Sequence, residues 1–243
     1  MKTVVLIMGI VLCSISSLHA QWGATQKVKG NGNSISKARE TSDYEQIKVK
    51  GSLDVSLIFG TEGKINIEGE SNLIPYIITK VEDDVLKIYV KKGYYLKPST
   101  SKKLIITVPF KDINKVTLSG SGDIYSSDTI KATEFVTGVS GSGDVKLVVE
   151  AKNVKGQVSG SGDLTIKGTA DSFTAGVSGS GDISAYDLKA KNASVKVTGS
   201  GDIELTATST LTARVSGSGD IYYKGNPEKE DKKVSGSGDI TKR

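Results

Sequence analysis

The tetrapeptide Gly-Ser-Gly-Asp recurs seven times in the second half of the chain, ending at Asp123, Asp144, Asp163, Asp182, Asp202, Asp220 and Asp239. Successive aspartates are 21, 19, 19, 20, 18 and 19 residues apart. A near-constant period of this length marks stacked units, none of which can bury its apolar side alone. The flanks repeat as well. An aliphatic residue stands two places before each copy, as at Leu118, Val139 and Val158, and another follows it directly, as at Ile124, Val145 and Leu164. A hydroxyl residue precedes every copy, from Ser119 to Ser235. A second apolar position often lies two residues further on, as at Leu147, Ile166 and Leu205. That alternation is the signature of half-buried strands.

Each unit therefore reads as strand, glycine corner, strand and polar return. At roughly 3.3 Å per extended residue, such a coil has a perimeter of about 60 Å, which suits a two- or three-sided solenoid. Stacking at about 4.8 Å per coil would make the seven corners a face about 29 Å long. The corner glycines are expected to supply positive φ and close backbone approach, Gly160 and Gly162 among them. The region is rich in Gly, Val, Ser and Thr, which argues against helix. Its period is too short for propeller blades of about 40 residues. The predicted fold is all-β, a parallel β-solenoid (β-helix-like) with coils of about 19 residues and irregular N-terminal coils.

The rest of the chain divides into three. Residues 1–20 read as a secretory signal peptide: Lys2, an apolar run from Val4 to Leu12, and a polar stretch ending at Ala20. Residues 21–43, with Gly30-Asn31-Gly32-Asn33, read as a flexible lead-in. Residues 44–117 alternate like strands at Ile47/Val49, Val55/Leu57/Phe59, Ile65/Ile67, Leu86/Ile88/Val90 and Leu104/Ile106/Val108. Asp83-Asp84 and Gly60–Gly63 look like turns, and Asn72–Lys80, with Pro75, fits a helical turn or an irregular strand. This region is expected to cap the N-terminal end of the solenoid formed by residues 118–243. The Pro- and charge-rich return Asn226–Lys233 discourages edge pairing with another chain.

The signal peptide bears directly on chemistry. The one Cys and the one His of the chain, Cys13 and His19, both lie within it. A mature protein without either has no histidine acid–base catalysis, no cysteine nucleophile and no Cys/His zinc site. The net charge of +5 is unevenly spread. Residues 21–117 hold 16 Lys and Arg against 11 Asp and Glu, and residues 118–243 hold 15 against 16. Interspersed charges in an exported chain point away from nucleic acid as a partner. No later stretch is long and apolar enough for a spanning helix. The expected location is periplasmic, outer-membrane-associated or extracellular.

The chain resembles the bacterial family of putative auto-transporter adhesin, head GIN domain proteins from about residue 30 onwards. The resemblance rests on the signal peptide, the Gly/Asn-rich lead-in, and the Lys48–Val55 stretch with Gly51 and Asp54. It rests also on Gly69-Glu70-Ser71-Asn72-Leu73 and on the serial Val-Ser-Gly-Ser-Gly-Asp-Ile units. It implies a secreted or periplasmic β-helix-like protein, and it brings no established catalytic or binding residues.

Two sets of residues are candidates for contact with a ligand. Stacked corners would bring the seven aspartates into one ladder, and each adjacent pair of charges repels by roughly 0.9 kcal/mol in water. The ladder could bind Ca²⁺ through carboxylates and carbonyls, or its side chains could accept turn N–H groups with help from the serines. The second set lies in Lys91–Lys103, where Lys91, Lys92, Lys97, Lys102 and Lys103 accompany Tyr94 and Tyr95 without an acid. It reads either as a contact for an anionic glycan or lipid head group, or as a solvated hairpin loop with its tyrosines folded onto the sheet. A glycosidase would need two carboxylates in unlike environments, which equivalent aspartates do not offer. The predicted role is structural, adhesive or envelope-binding, by contact with an envelope or extracellular polymer or protein and without a cofactor. A cation- or glycan-binding module using the aspartate edge comes next and a carbohydrate-active enzyme last. The oligomeric state is left open.

Overall fold

The computed structural model describes residues 25–243; the expected signal peptide, with Cys13 and His19, lies outside them. The chain runs through β1 (Gln26–Lys29), β2 (Ser34–Glu40), β3 (Gln46–Gly51), β4 (Asp54–Phe59) and β5 (Lys64–Glu70). A 3₁₀ turn, Ile74–Tyr76, leads into β6 (Ile77–Glu82), β7 (Val85–Val90), β8 (Tyr94–Lys97), β9 (Ile105–Phe110) and β10 (Lys115–Gly120). Five long strands follow: β11 (Ile124–Gly141), β12 (Val145–Gly160), β13 (Leu164–Gly179), β14 (Ile183–Gly199) and β15 (Ile203–Gly217). The chain then forms β16 (Ile221–Lys224), β17 (Lys229–Gly236) and β18 (Ile240–Lys242). The fold is a parallel β-solenoid, as the repeat predicts. Among the described residues, no helix is long and apolar enough to cross a membrane.

Each long strand carries one whole coil from corner to corner. In β13 the inward side chains are Leu164, Ile166 and Ala170, then Phe173, Ala175 and Val177. The change of phase between Ala170 and Phe173 turns the chain back toward the next corner. Parallel pairing in register stacks like on like, so the column Phe135, Val154, Phe173, Ala193 and Leu211 runs up the core. Uneven side-chain size along that column lets neighbouring coils interdigitate, as close packing demands. The unequal spacing of the repeats is absorbed away from the corners. The 21-residue coil slips register between Tyr125 and Thr129, and the 20-residue coil slips beside Ala185 and Ala190.

The N-terminal region departs from sequential stacking. Strand β3 lies between β7 and β10, and β4 lies between β9 and β11, although β3 and β4 come earlier in the chain. Beyond them β6 pairs antiparallel with β7, and β2 and β5 pair antiparallel across the other arm. Asp83 and Asp84, both at positive φ, make the turn between β6 and β7. The segment Asn72–Lys80 resolves into the 3₁₀ turn and the start of β6.

The expected flexible lead-in needs correction, because residues 26–40 form β1 and β2. Their order is imposed from about 40 residues away. Buried Glu70 accepts hydrogen bonds from the N–H of Gly32 and from the N–H and hydroxyl of Ser99. Asn72 donates to the Lys29 carbonyl at 2.7 Å and accepts the Asn31 N–H at 3.1 Å, while the Asn31 amide donates to Ser71. Arg39 of β2 donates to the carbonyls of Ile74 and Ile77, closing the 3₁₀ turn. The run Gly69-Glu70-Ser71-Asn72-Leu73 is thus the clasp that holds the Gly/Asn lead-in.

The other end closes differently. Strand β17 keeps the coil register on β15, and it places Glu230 over Leu211 and Lys232 over Ala213, positions held by Ala193 and Val195 in the coil before. Those two side chains pair at 2.7 Å and share hydrogen bonds with the hydroxyl of buried Tyr223. Inward-turned charge discourages a further strand from adding there. The return Asn226–Lys233 joins the chain's own sheet through Lys229–Lys233.

Candidate functional site

The corners are built from backbone bonds between coils. In a typical corner the N–H groups of Ser161 and Gly162 both donate to the Gly141 carbonyl of the preceding coil, at 2.8 and 3.0 Å. Such proximity leaves no room for side chains. Gly160 has a φ of 122°, and a Cβ there would lie 2.3 Å from the Gly141 carbonyl oxygen. Gly162 corrects the expectation: its φ is not positive, and it must be glycine because a Cβ would lie 2.1 Å from the Gly143 carbonyl oxygen.

Stacking brings all seven aspartates together into one ladder. The N–H of each aspartate donates to Oδ1 of the one before, at 3.1 Å for Asp144 on Asp123, 3.2 Å for Asp163 on Asp144 and 2.9 Å for Asp182 on Asp163. For Asp202, Asp220 and Asp239 the same bond is 2.7 Å. One oxygen of each carboxylate from Asp123 to Asp220 thus serves as the missing acceptor of the next coil. The corner serines remain exposed.

An eighth rung lacks the exact tetrapeptide. Gly51-Ser52-Leu53-Asp54 occupies the same register, with Gly120 over Gly51 and the Asp123 N–H donating to Asp54 Oδ1 at 3.1 Å. Leu53 is fully buried where every other corner has glycine. A leucine fits because this corner is covered by Tyr94, Leu96 and Leu104 rather than by another tight corner. Burial pushes the Asp54 carboxyl above its usual value, and the Asp123 carboxylate adds to it, against the Asp123 N–H and Lys103. At the last rung, bonds from the Thr241 hydroxyl and the Ile240 N–H hold Asp239 below its usual value. No group of three or more His, Cys, Asp or Glu among the described residues is arranged to hold a metal ion.

The stretch Lys91–Lys103 is not a hairpin loop. Its β8 pairs in parallel with β1 of the lead-in. Tyr94 packs on Tyr76 with ring centroids 4.5 Å apart, and Lys91 Nζ stands 5.7 Å from the Tyr94 centroid. Tyr95 stays half exposed. Tyr94, Tyr95, Lys102 and Lys103 line a recess of about 290 Å³ together with Asp54. Lys91, Lys92 and Lys97 do not line that recess.

A further charged surface lies on the outer face of the arm that precedes each corner. One outward column runs Lys80, Lys87 and Lys48, then Thr117, Gly138, Gln157 and Gly176, then Lys196, Arg214 and Lys233. The column on one side adds Lys115 and Lys155, and the column on the other adds Lys50. The acids in these columns are Glu82, bonded to Lys80 and Lys87, and Asp231, bonded to Arg214. Those two lysines hold the Glu82 carboxyl down at about 2.

The family model described as putative auto-transporter adhesin, head GIN domain, matches residues 43–227. The chain belongs to this family. This head GIN chain also resembles solved structures. A putative adhesin from Bacteroides fragilis NCTC 9343 superposes with a TM-score of 0.82 at 23% identity, over 89% of this chain and 100% of that one. A putative lipid binding protein from Parabacteroides distasonis ATCC 8503 gives 0.74 at 31% identity, over 90% and 100%. A putative adhesin from the same organism gives 0.72 at 30% identity, over 90% and 100%. No curated protein matches the head GIN chain.

Proposed function

We propose that this protein is an exported, non-enzymatic rod that binds an envelope or extracellular polymer or protein along its flanks. The observation that carries the reading is the columnar register. In-register stacking repeats each outward position from coil to coil and makes flat, extended faces, the kind of surface on which solenoids bind. One oxygen of each carboxylate from Asp123 to Asp220 is committed to a bond between coils. The solved relatives described as putative adhesins and as a putative lipid binding protein support a binding role. Sedimentation with isolated cell envelopes tests it. Saturable co-sedimentation is expected, and a protein that stays in the supernatant at every concentration overturns the reading.

A second reading keeps the aspartate edge as a cation site. It is favoured by the second carboxylate oxygens of Asp123, Asp163, Asp182 and Asp202, which accept no hydrogen bond among the described residues. Thermal melting in EDTA and in excess Ca²⁺ decides it, since a ligand of the native state raises the midpoint by mass action. A large, saturable rise supports the cation site. An unchanged midpoint leaves the aspartates as bonds of the stack.

A further inference from the structure

We propose that the basic flank is the binding site of the rod, and that it takes a linear acidic polysaccharide laid across the strands. The proposal rests on the reading of the protein as a binding module and names its ligand class.

Three features of the flank point there. The first is charge: nine basic side chains face outward with two acids, while the neighbouring corner edge is a row of aspartates. Lys48, Lys50, Lys115, Lys155 and Lys196 form no ion pair among the described residues. A surface whose cations outnumber its acids is matched by an anion.

The second is shape. A recess of about 320 Å³ lined by Lys48, Lys50, Lys80, Lys87 and Tyr89 shares three of those lysines with a groove of about 570 Å³. That groove continues at Gln157 into a third of about 550 Å³, lined by Lys155, Thr174, Gly176 and Lys196. In the middle of this trough Gly138 and Gly176 flank Gln157, whose side chain lies against Gly176. The third is chemistry beside the charge. The column next to the corners presents Ser119, Ser140, Ser159, Ser178, Thr198 and Ser216, a line of hydroxyls suited to sugar hydroxyls and ring oxygens.

The shape favours a polymer over a bilayer. A membrane surface is met by protruding cations with apolar or aromatic neighbours. Here the lysines line a trough with one aromatic neighbour, Tyr89, and the large exposed apolar side chains Ile35, Ile58, Phe59, Tyr95, Tyr125 and Val234 do not line it. At each end of the column register sets cations on successive strands about 4.8 Å apart, Lys80, Lys87 and Lys48 at one and Lys196, Arg214 and Lys233 at the other, so one chain laid across the strands meets a cluster of charges at both ends.

The test titrates the full chain, processed by its own host, with polygalacturonate and with heparin at low and high salt. Uncharged dextran and phosphatidylglycerol vesicles are the other arms. Both acidic polymers should bind, more weakly at high salt, and dextran should not. Lys48→Glu with Lys196→Glu should lower the affinity at least about tenfold by replacing attraction with repulsion at both ends of the trough. Gly176→Glu should also weaken binding. The three atoms nearest its new Cβ belong to the flexible Gln157 side chain, Oε1 first at 2.8 Å, so the coil should keep its fold and its melting midpoint. Lys97→Glu, outside the trough, should bind like wild type.

A double variant that binds like wild type overturns the proposal. So does equal binding to dextran, or binding confined to the vesicles. A wild type that sediments with envelopes yet ignores both acidic polymers overturns the trough and leaves the binding-module reading standing. Failure in both assays removes the two together.

Discussion

At the N-terminal end the core is covered by strands that run against the coils, clasped by side chains from distant segments. At the C-terminal end it is covered by a coil that keeps the register of the repeat and turns Glu230 and Lys232 inward. The first solution needs non-repeating sequence and many long-range bonds. The second needs only a few substitutions in an otherwise ordinary coil. The corner column shows the same contrast at a single position. Leucine fits at residue 53, under the N-terminal cover, whereas any Cβ at residue 162, between two coils, strikes backbone.

The comparison breaks most sharply at that position. Gly162→Leu should cost about 3 kcal/mol or more, because the clash is with the Gly143 carbonyl and the coils must separate to relieve it. Guanidinium unfolding reads the loss, and a variant as stable as wild type refutes the close-approach account. Leu53→Gly, the reciprocal exchange, should cost about 2–4 kcal/mol by opening a cavity in a buried site. A stability gain there would mean that the two corners are equivalent after all.

The clasp gives a local prediction. Glu70→Ala leaves the N–H groups of Gly32 and Ser99 without their acceptor, so amide exchange in Gln26–Lys29 and Ser34–Glu40 should quicken at least about tenfold while the coils β12–β14 keep their protection. The hydroxyl and N–H of Ser99 hold the Glu70 carboxyl below its ordinary value of 4.5. Its contribution is therefore full above that value and is lost as pH falls through the lowered one. Exchange in the lead-in should rise in that acid window before the coils respond, and a simultaneous response would unseat the clasp. The smallest effect belongs to the ladder. Asp182→Ala removes one acceptor and should cost about 1 kcal/mol, whereas Asp182→Asn keeps an Oδ1 for the Asp202 N–H and should stay near wild type.

The coils were legible because each repeats the same local grammar. The corner glycines, the aliphatic residues beside them and the parallel register all follow from one motif read seven times. The eighth corner, Gly51-Ser52-Leu53-Asp54, differs by one residue, and its signal was there for a looser pattern. The order of the lead-in was not legible: Gly30-Asn31-Gly32-Asn33 has the composition of a loop, and the groups that fix it are Glu70, Ser71 and Asn72. The basic flank was hidden for a related reason. Its cations are scattered singly or in pairs over eight strands and gather on one face only when the coils stack. In residues 118–243 composition also averages Lys155, Lys196, Arg214 and Lys233 away against the aspartates of the corners.

The early placement of β3 and β4 inside the stack bears on how such a rod can change length. Because β7 and β9 return to one side of that pair and β10 and β11 leave from the other, the first coils are interleaved, and no single stretch of chain there can be excised as one layer. From β11 to β15 every coil is contiguous and bonded alike to its neighbours. Duplication or deletion of one period in that stretch preserves both ends and lengthens or shortens the rod by one layer. The molecule is thus a fixed head, a fixed foot and an adjustable shaft.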